Sequence, residues 1–283
     1  LDEHLEIDPS ICTLHRQGSR HAEAFRAIRS ALYFSSSRKN YKVIQVTSPV
    51  PGDGKSTMAG NLAVAIAMSG KKVLLIDADC RRPRVNALFG LDNEVGLATV
   101  LQNESQLEDA IFFTSVENLF IMPSGPTPSN PAELLTSPGF GQLLDIVKED
   151  FDLVIVDTPP VLPVTDAVAV AARVDAVMLA IRIRKGVQIT AMRAKEVLDG
   201  VDANVMGIVV NAVDGRYGRS SYGYGYGYGK YGRYSGYGGY GDSHGYYLED
   251  SPNGTSNGIA RPKDKTKSKA SNAEPLRLVS KAE

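Results

Sequence analysis

Tryptophan is absent, and cysteine occurs only twice, at Cys12 and Cys80. Two cysteines so far apart build no disulfide framework and match no metal-ligand spacing; they fit a reduced, cytoplasmic setting. The four histidines (His4, His15, His21 and His244) form no HExxH motif and no His/Cys cluster, which excludes the common zinc sites. Neither sign of charge is in excess: the formal net charge is -1, so bulk electrostatics argues for no nucleic-acid partner. No apolar run approaches the ~18 to 20 residues of a membrane span, and no signal peptide is visible. The chain begins at Leu1 rather than at a methionine. It is therefore expected to be a processed or excised piece, with room for a membrane segment upstream.

What is present is unevenly distributed. From Ser19 a helical pattern begins, with Phe25, Ile28 and Leu32 on one face and Glu23, Arg26 and Arg29 as a separate charged stripe. Short Val/Ile/Leu-rich runs then alternate with helical patterns. Strands are expected at 42–47, 72–76, 119–122, 153–156, 176–181 and 205–211. The clearest helices are expected at 55–69, 139–149 and 187–200. Continuous apolar strands alternating with helices predict an α/β fold, a parallel sheet with helices on both faces, whose ligands sit at the carboxyl ends of the strands. After Asp214 the pattern stops. Eleven of the thirteen tyrosines lie in the next stretch: Tyr217, Tyr222, Tyr224, Tyr226, Tyr228, Tyr231, Tyr234, Tyr237, Tyr240, Tyr246 and Tyr247. This gives four expected segments: a leader at 1–17, a P-loop domain at 18–214, a Gly/Tyr-rich segment at 215–247 and a polar tail at 248–283. The last two are expected to be disordered, because they bury too little apolar surface to offset chain entropy.

Three motifs carry chemistry. The first, VIQVTSPVPGDGKST, reads as strand, glycine-rich loop and helix, with Pro49 where the first glycine is usual. Gly52, Asp53, Gly54, Lys55, Ser56 and Thr57 form the expected nucleotide cradle. Loop amides close around phosphate oxygens, Lys55 reaches the β/γ-phosphates and Ser56 ligates Mg²⁺. The second, VLLIDADCRRPR, ends a buried strand in Asp77 and Asp79, which strand alternation points to the same side. Arg81, Arg82 and Arg84 follow, suited to phosphate or to neighbouring acids. The third, DLVIVDTPPV, places Asp157 at a strand end in the Walker B manner. Asp166, in the following loop, is expected to be a helix N-cap rather than a ligand. Asn211, at the last strand's end, is a candidate for the adenine edge. Taken alone, the Glu23, Arg26 and Arg29 stripe reads as a surface helix with intrahelical ion pairs. A nucleotide machine and a run of phenol hydroxyls on one chain imply that the first phosphorylates the second.

The ordered set EAFRAIRSALYFSS, the P-loop, LLIDADCRRPRV with LFGLDNEVGLATVL, SGPTPSNPAELL, VIVDTPPVLPVTDA and a C-terminal tyrosine cluster resembles the bacterial tyrosine kinases (BY-kinases) of capsule and exopolysaccharide systems. The resemblance spans roughly residues 18 to 247. It implies a P-loop NTPase-like fold, ATP and Mg²⁺ as nucleotide and metal, and Lys55, Asp77, Asp79 and Asp157 as catalytic positions. Ser56, Asp77 and Asp157 are the implied metal residues, and Glu23, Arg26 and Arg29 match the subunit-contact motif ExxRxxR. It further implies autophosphorylation of the tail within a homo-oligomeric ring, and a membrane activator or a fused polysaccharide co-polymerase region as partner. A tyrosine phosphatase acting on the tail and a location at the inner face of the cell membrane complete the expectation. The rival reading is a MinD/ParA-type ATPase without kinase activity. Those proteins carry a signature lysine where this chain has Val50, and a positioning ATPase leaves the tyrosine tail unexplained.

Overall fold

The computed structural model describes residues 7–36 and 41–212. The expected tyrosine segment and polar tail lie outside the described residues, as do residues 1–6 of the leader. In chain order the elements are α1 (Cys12–His15), α2 (Arg20–Ser36), β1 (Val43–Thr47), α3 (Lys55–Ala67), β2 (Val73–Asp77), α4 (Val85–Leu88) and α5 (Leu97–Leu101). They continue with β3 (Phe112–Phe113), β4 (Leu119–Met122), α6 (Pro131–Thr136), α7 (Pro138–Asp150), β5 (Leu153–Asp157), α8 (Asp166–Ala171), β6 (Ala176–Arg182), α9 (Val187–Asp199) and β7 (Val205–Asn211).

One sheet runs β3-β4-β2-β5-β1-β6-β7. Every described pairing is parallel except β3 with β4. Strands β1, β2 and β5 are buried at every position, which is why they read as unbroken Val/Ile/Leu runs. Alternation divides their side chains between two faces. Ile44, Val46, Val73, Leu75 and Ile155 pack with α3 on one face. Val43, Leu74, Ile76, Val154 and Val156 pack with Phe140, Leu143 and Val147 of α7 on the other. A third cluster joins Val177 and Leu179 of β6 to Ala194 and Leu198 of α9. The α2 stripe behaves as its periodicity predicts: Leu32 is buried, and Phe25 and Ile28 pack against the α3-side core.

Two elements escape the sequence reading. Strand β3 is only Phe112 and Phe113, too short to show a period, and it is held by pairing and by a tilted contact of Phe113 with Phe120, 5.0 Å between ring centroids. Helix α1 comes from a stretch without visible periodicity. It is fixed by tertiary contacts: Ile11 is fully buried, and Asn61 of α3 acts as a polar hub beneath it. The Asn61 side-chain oxygen accepts from Cys12 Sγ, the Thr13 amide and Thr13 Oγ1. Its amide donates to the Ser10 and Thr57 carbonyls.

Replacing Asn61 with alanine strands several buried partners at once, each worth about 1 to 3 kcal/mol when left unsatisfied. Asn61→Ala is expected to lower unfolding stability by roughly 3 kcal/mol, with an earlier denaturant midpoint and faster proteolytic clipping at 7–19. An unchanged midpoint would show that α1 is held by Ile11 alone.

Candidate active site

The site lies where β1, β2 and β5 end. After Thr47 the chain turns through the glycine-rich loop and enters α3 at Lys55. Gly52 and Gly54 adopt φ of 81° and 87°, the left-handed region that glycine occupies at little cost. Gly54 is also fixed by space, since a Cβ there would lie 2.9 Å from Asn211 Nδ2. That Asn211 amide donates to the Asp53 carbonyl at 2.8 Å, so the end of β7 braces the loop.

The register of β2 with β5 pairs Asp77 with Asp157, side by side on adjacent parallel strands. Both are completely buried, and Asp79 is 1% exposed. Lys55 Nζ lies 2.7 Å from Asp79 Oδ2 and 3.8 Å from Asp157 Oδ2, and donates to Ser56 Oγ at 3.2 Å. Lys55, Ser56, Asp77, Asp79 and Asp157 thus converge, with Thr57 on the first turn of the same helix.

The three acids differ in surroundings. Asp77 accepts backbone N–H groups from Asp79, Arg84 and Val85 at 2.9 to 3.0 Å. Burial, then the Asp157 charge, pushes its pKa up to about 7, with Asp79 adding and the Val85 amide and Lys55 opposing. Burial likewise raises Asp157 to about 6 against the pull of Lys55 and the Ser56 hydroxyl. Neither buried oxygen of Asp157 has a well-formed hydrogen bond. That orphaned carboxylate beside a serine hydroxyl is the donor set expected for Mg²⁺, a hard cation usually held by one or two carboxylates, with waters and phosphates completing its shell. No group of three or more His, Cys, Asp or Glu side chains among the described residues is arranged to hold a metal ion by itself. The residues present therefore fit the metal.

Asp166 is corrected. Thr165, not Asp166, occupies the N-cap, and Asp166 is the first residue of α8. Its fully buried carboxylate takes Arg81 in a two-pronged pair, Nε–Oδ2 2.7 Å and NH2–Oδ1 3.0 Å. A buried charge needs that partner more than a helix end needs a cap. A second pair also escaped the sequence reading: Arg184, in the turn before α9, lies 2.9 Å from Asp53 Oδ1. Its only signal was the basic run Arg182 to Lys185.

The charged stripe of α2 lies on a separate element. Glu23 and Arg26 pair within the helix at 2.6 Å, and Arg26 also donates to the Gln17 carbonyl. Arg29 crosses to the Ala65 carbonyl at 2.8 Å, in the last turn of α3, where a cation complements the helix dipole. Both cysteines are unbridged and buried, and burial pushes both thiols up, away from the reactive thiolate form.

The raised carboxylates set a sign for pH dependence. Between the ordinary value near 4 and the folded values of about 7 and about 6, the folded chain binds more protons than the unfolded one. Stability therefore falls as pH rises through that window and levels off above it. Asp157→Asn removes one buried like charge, and is expected to raise the Tm of the metal-free protein at pH 8 by roughly 3 °C while flattening the slope below pH 7. Thermal melts in chelator from pH 5 to 8 check this. A lower Tm at pH 8 would mean the acid is held by interactions stronger than its burial cost.

Comparison with known proteins agrees with this geometry. The family model of an AAA domain matches residues 41–195. Tyrosine-protein kinase YwqD of Bacillus subtilis is 41% identical over 206 residues, covering 73% of this chain and 86% of YwqD. EpsB of Ralstonia solanacearum is 39% identical over 74% of this chain, which spans only 28% of that longer protein. Among solved structures, the kinase domain of the Escherichia coli tyrosine kinase ETK superposes with a TM-score of 0.71 at 33% identity, covering 77% of this chain and 84% of that one. MinD from Pyrococcus horikoshii, complexed with Mg-ADP, shares the fold more distantly, with a TM-score of 0.54 at 27% identity over 63% of this chain and 72% of its own. A parallel P-loop sheet, three acids around one lysine and relatives of this closeness lead to one assignment: the chain belongs to the bacterial tyrosine kinases and is a protein-tyrosine kinase.

Proposed function

We propose that this kinase uses ATP and Mg²⁺ to phosphorylate its own C-terminal tyrosines, between Tyr217 and Tyr247, and that it does so between subunits of an oligomer to regulate polysaccharide synthesis and export. The observation that carries the reading is Lys55, buried at the first turn of α3 and poised between Asp79 and Asp157, on a chain with eleven clustered tyrosines.

Positioning and charge neutralisation carry most of phosphoryl transfer, because the transition state is loose. Lys55 exchanges Asp79 for the β/γ-phosphate oxygens, and loop amides cradle the same group. Ser56 and Asp157 would hold Mg²⁺, which when bound would supply positive charge to neutralise the phosphates. Asp77 and Asp79 line the metal side, and Asn211 borders the nucleotide end of the loop. The bond between the γ-phosphorus and the β,γ-bridging oxygen breaks, its electrons leaving with ADP, as the tyrosine oxygen bonds phosphorus. The phenolic proton passes to Asp77, the buried carboxylate on the metal side of the transferred group, and from there to solvent. Tyrosine's ordinary pKa near 10 makes late proton loss the consistent order.

The partners follow from the same reading: a ring of copies contacting through Glu23, Arg26 and Arg29, a membrane activator or fused co-polymerase region, and a phosphatase that resets the tail. The kinase works at the inner face of the cell membrane through such a partner or an upstream segment. No helix among the described residues is long and apolar enough to cross a membrane. Domain boundaries at 18–214, 215–247 and 248–283 complete the proposal.

Lys55→Met is expected to abolish phosphotyrosine, and deleting 217–247 to remove nearly all of it while nucleotide binding persists. Mixing Lys55→Met protein with active protein lacking 217–247 should label the Lys55→Met tail, read by anti-phosphotyrosine blotting. Absence of label in co-assembled samples would place transfer within one chain.

The stripe allows a second test. Arg29 also caps α3, so the double variant Glu23→Ala with Arg26→Ala spares that cap. It is expected to sediment as monomers with the fold retained, since exposed intrahelical pairs contribute only ~0 to 1 kcal/mol to the fold itself. The segment 216–247 carries Arg216, Arg219, Lys230 and Arg233 against Asp242, a net of +3, and each phosphotyrosine adds about -1.5 to -2. Light scattering of the wild type should therefore fall as tail phosphate accumulates at low salt. A constant mass would limit the phosphates to docking another protein.

A further inference from the structure

The phosphate loop contains one acidic residue, Asp53, set between its two left-handed glycines. Its side chain is fully buried, and neither oxygen has a well-formed hydrogen bond. A carboxylate on this loop works against the loop's task, because it puts a negative charge of the same sign as the ligand beside the phosphate cradle. Its burial needs a compensating charge, and the structure supplies one from outside the loop. Arg184 NH2 lies 2.9 Å from Asp53 Oδ1. Burial raises the Asp53 pKa; Arg184 is the largest influence opposing it, followed by the Arg182 and Val50 backbone amides and then the Arg182 charge.

The contact joins two separate pieces of the fold. Asp53 stands between β1 and α3, whereas Arg184 stands in the turn between β6 and α9, just before the left-handed Gly186 that caps α9. The same loop residue is gripped again through its carbonyl, by Asn211 at the end of β7. Side chain and backbone of Asp53 are thus both tied to the β6-β7 edge of the sheet. With its guanidinium on Asp53 and its side chain still 36% exposed, Arg184 sits at the rim of the cradle.

We propose that Arg184 is a positioning residue of the nucleotide site, acting through Asp53. It cancels the loop's own negative charge and holds the loop in the shape that receives phosphate. This rests on the nucleotide-binding reading above. Arg184 touches no reacting group in this arrangement, so its loss weakens nucleotide binding rather than the transfer step. Arg184→Lys keeps the charge but loses the planar fork, and falls between wild type and the neutral variants.

The test is a double-mutant cycle read by binding of a fluorescent ATP analogue with Mg²⁺ and by steady-state tail phosphorylation. Arg184→Ala is expected to raise Kd and the KM for ATP by about tenfold, equivalent to ~1.4 kcal/mol, with kcat within about twofold. Arg184→Gln serves as the second neutral variant should the alanine variant lose its thermal transition. In an Asp53→Asn background the same Arg184 substitution should change Kd by less than about twofold, because the charge it answers is gone. An undiminished tenfold loss in that background would show that Arg184 contacts the nucleotide itself and would overturn the inference. So would unchanged nucleotide binding by Arg184→Ala, or a collapse of kcat at unchanged KM. A wild-type chain that fails to bind the analogue would instead overturn the nucleotide-site reading.

Discussion

Parallel register sets two acids side by side against the ammonium of Lys55. Because β2 and β5 pair with Asp77 opposite Asp157, their carboxylates are forced together on the α3 side of the sheet, and Asp79 follows two residues on. Lys55 is the ammonium among them. Much of the surrounding structure manages that charge. Three backbone amides converge on Asp77, and Lys55 rests on Asp79. The loop after β2 is tied down by Arg81 on Asp166. Asp157 has no well-formed hydrogen bond on either oxygen, with the Lys55 ammonium 3.8 Å away. Such a pocket is costly to fold empty and well suited to divalent metal and phosphate, the usual exchange of stability for function at a catalytic site.

The parts of this arrangement that were legible in sequence are those fixed by local chain chemistry. Of the six expected strands, those at 119–122 and 205–211 match the observed ones outright and the other four differ by a single residue at one or both ends, because strands covered by helices leave a near-continuous Val/Ile/Leu run. The glycine-rich loop and the two Asp-terminated strands were readable for the same reason: each motif lies within one strand-loop-helix unit. What was illegible depends on partners far away in sequence. Nothing near Asp166 announces Arg81, 85 residues earlier, so the acid looked like a cap. Helix α1 has no period of its own and owes its place to Asn61. The two-residue β3 is shorter than any period that could reveal it.

The α2 stripe shows a mixed case. Its spacing was clear, and Glu23 and Arg26 do form the intrahelical pair that spacing allows. Arg29 has a further use that spacing cannot display, since it reaches the last turn of α3, the helix whose first residue is Lys55. The helix that carries the phosphate-side lysine at one end is therefore held at its other end by the proposed contact helix, through a single rigid rod.

The bond from Asn211 to the Asp53 carbonyl fixes more than the loop. It anchors the root of the tyrosine-bearing segment at the phosphate cradle, and covalent geometry then limits how far each phenol can stray. Tyr217, six residues on, can lie at most about 20 Å from that anchor at 3.3 to 3.6 Å per residue. On the proposed phosphorylation of the chain's own tyrosines, tethering within such a radius supplies phenols at an effective concentration in the millimolar range, whatever the bulk concentration of the protein. On that proposal a separate protein would have to compete against the tethered supply. Selectivity for the chain's own phenols can therefore arise from leash length alone, without a recognition pocket for the sequence around them.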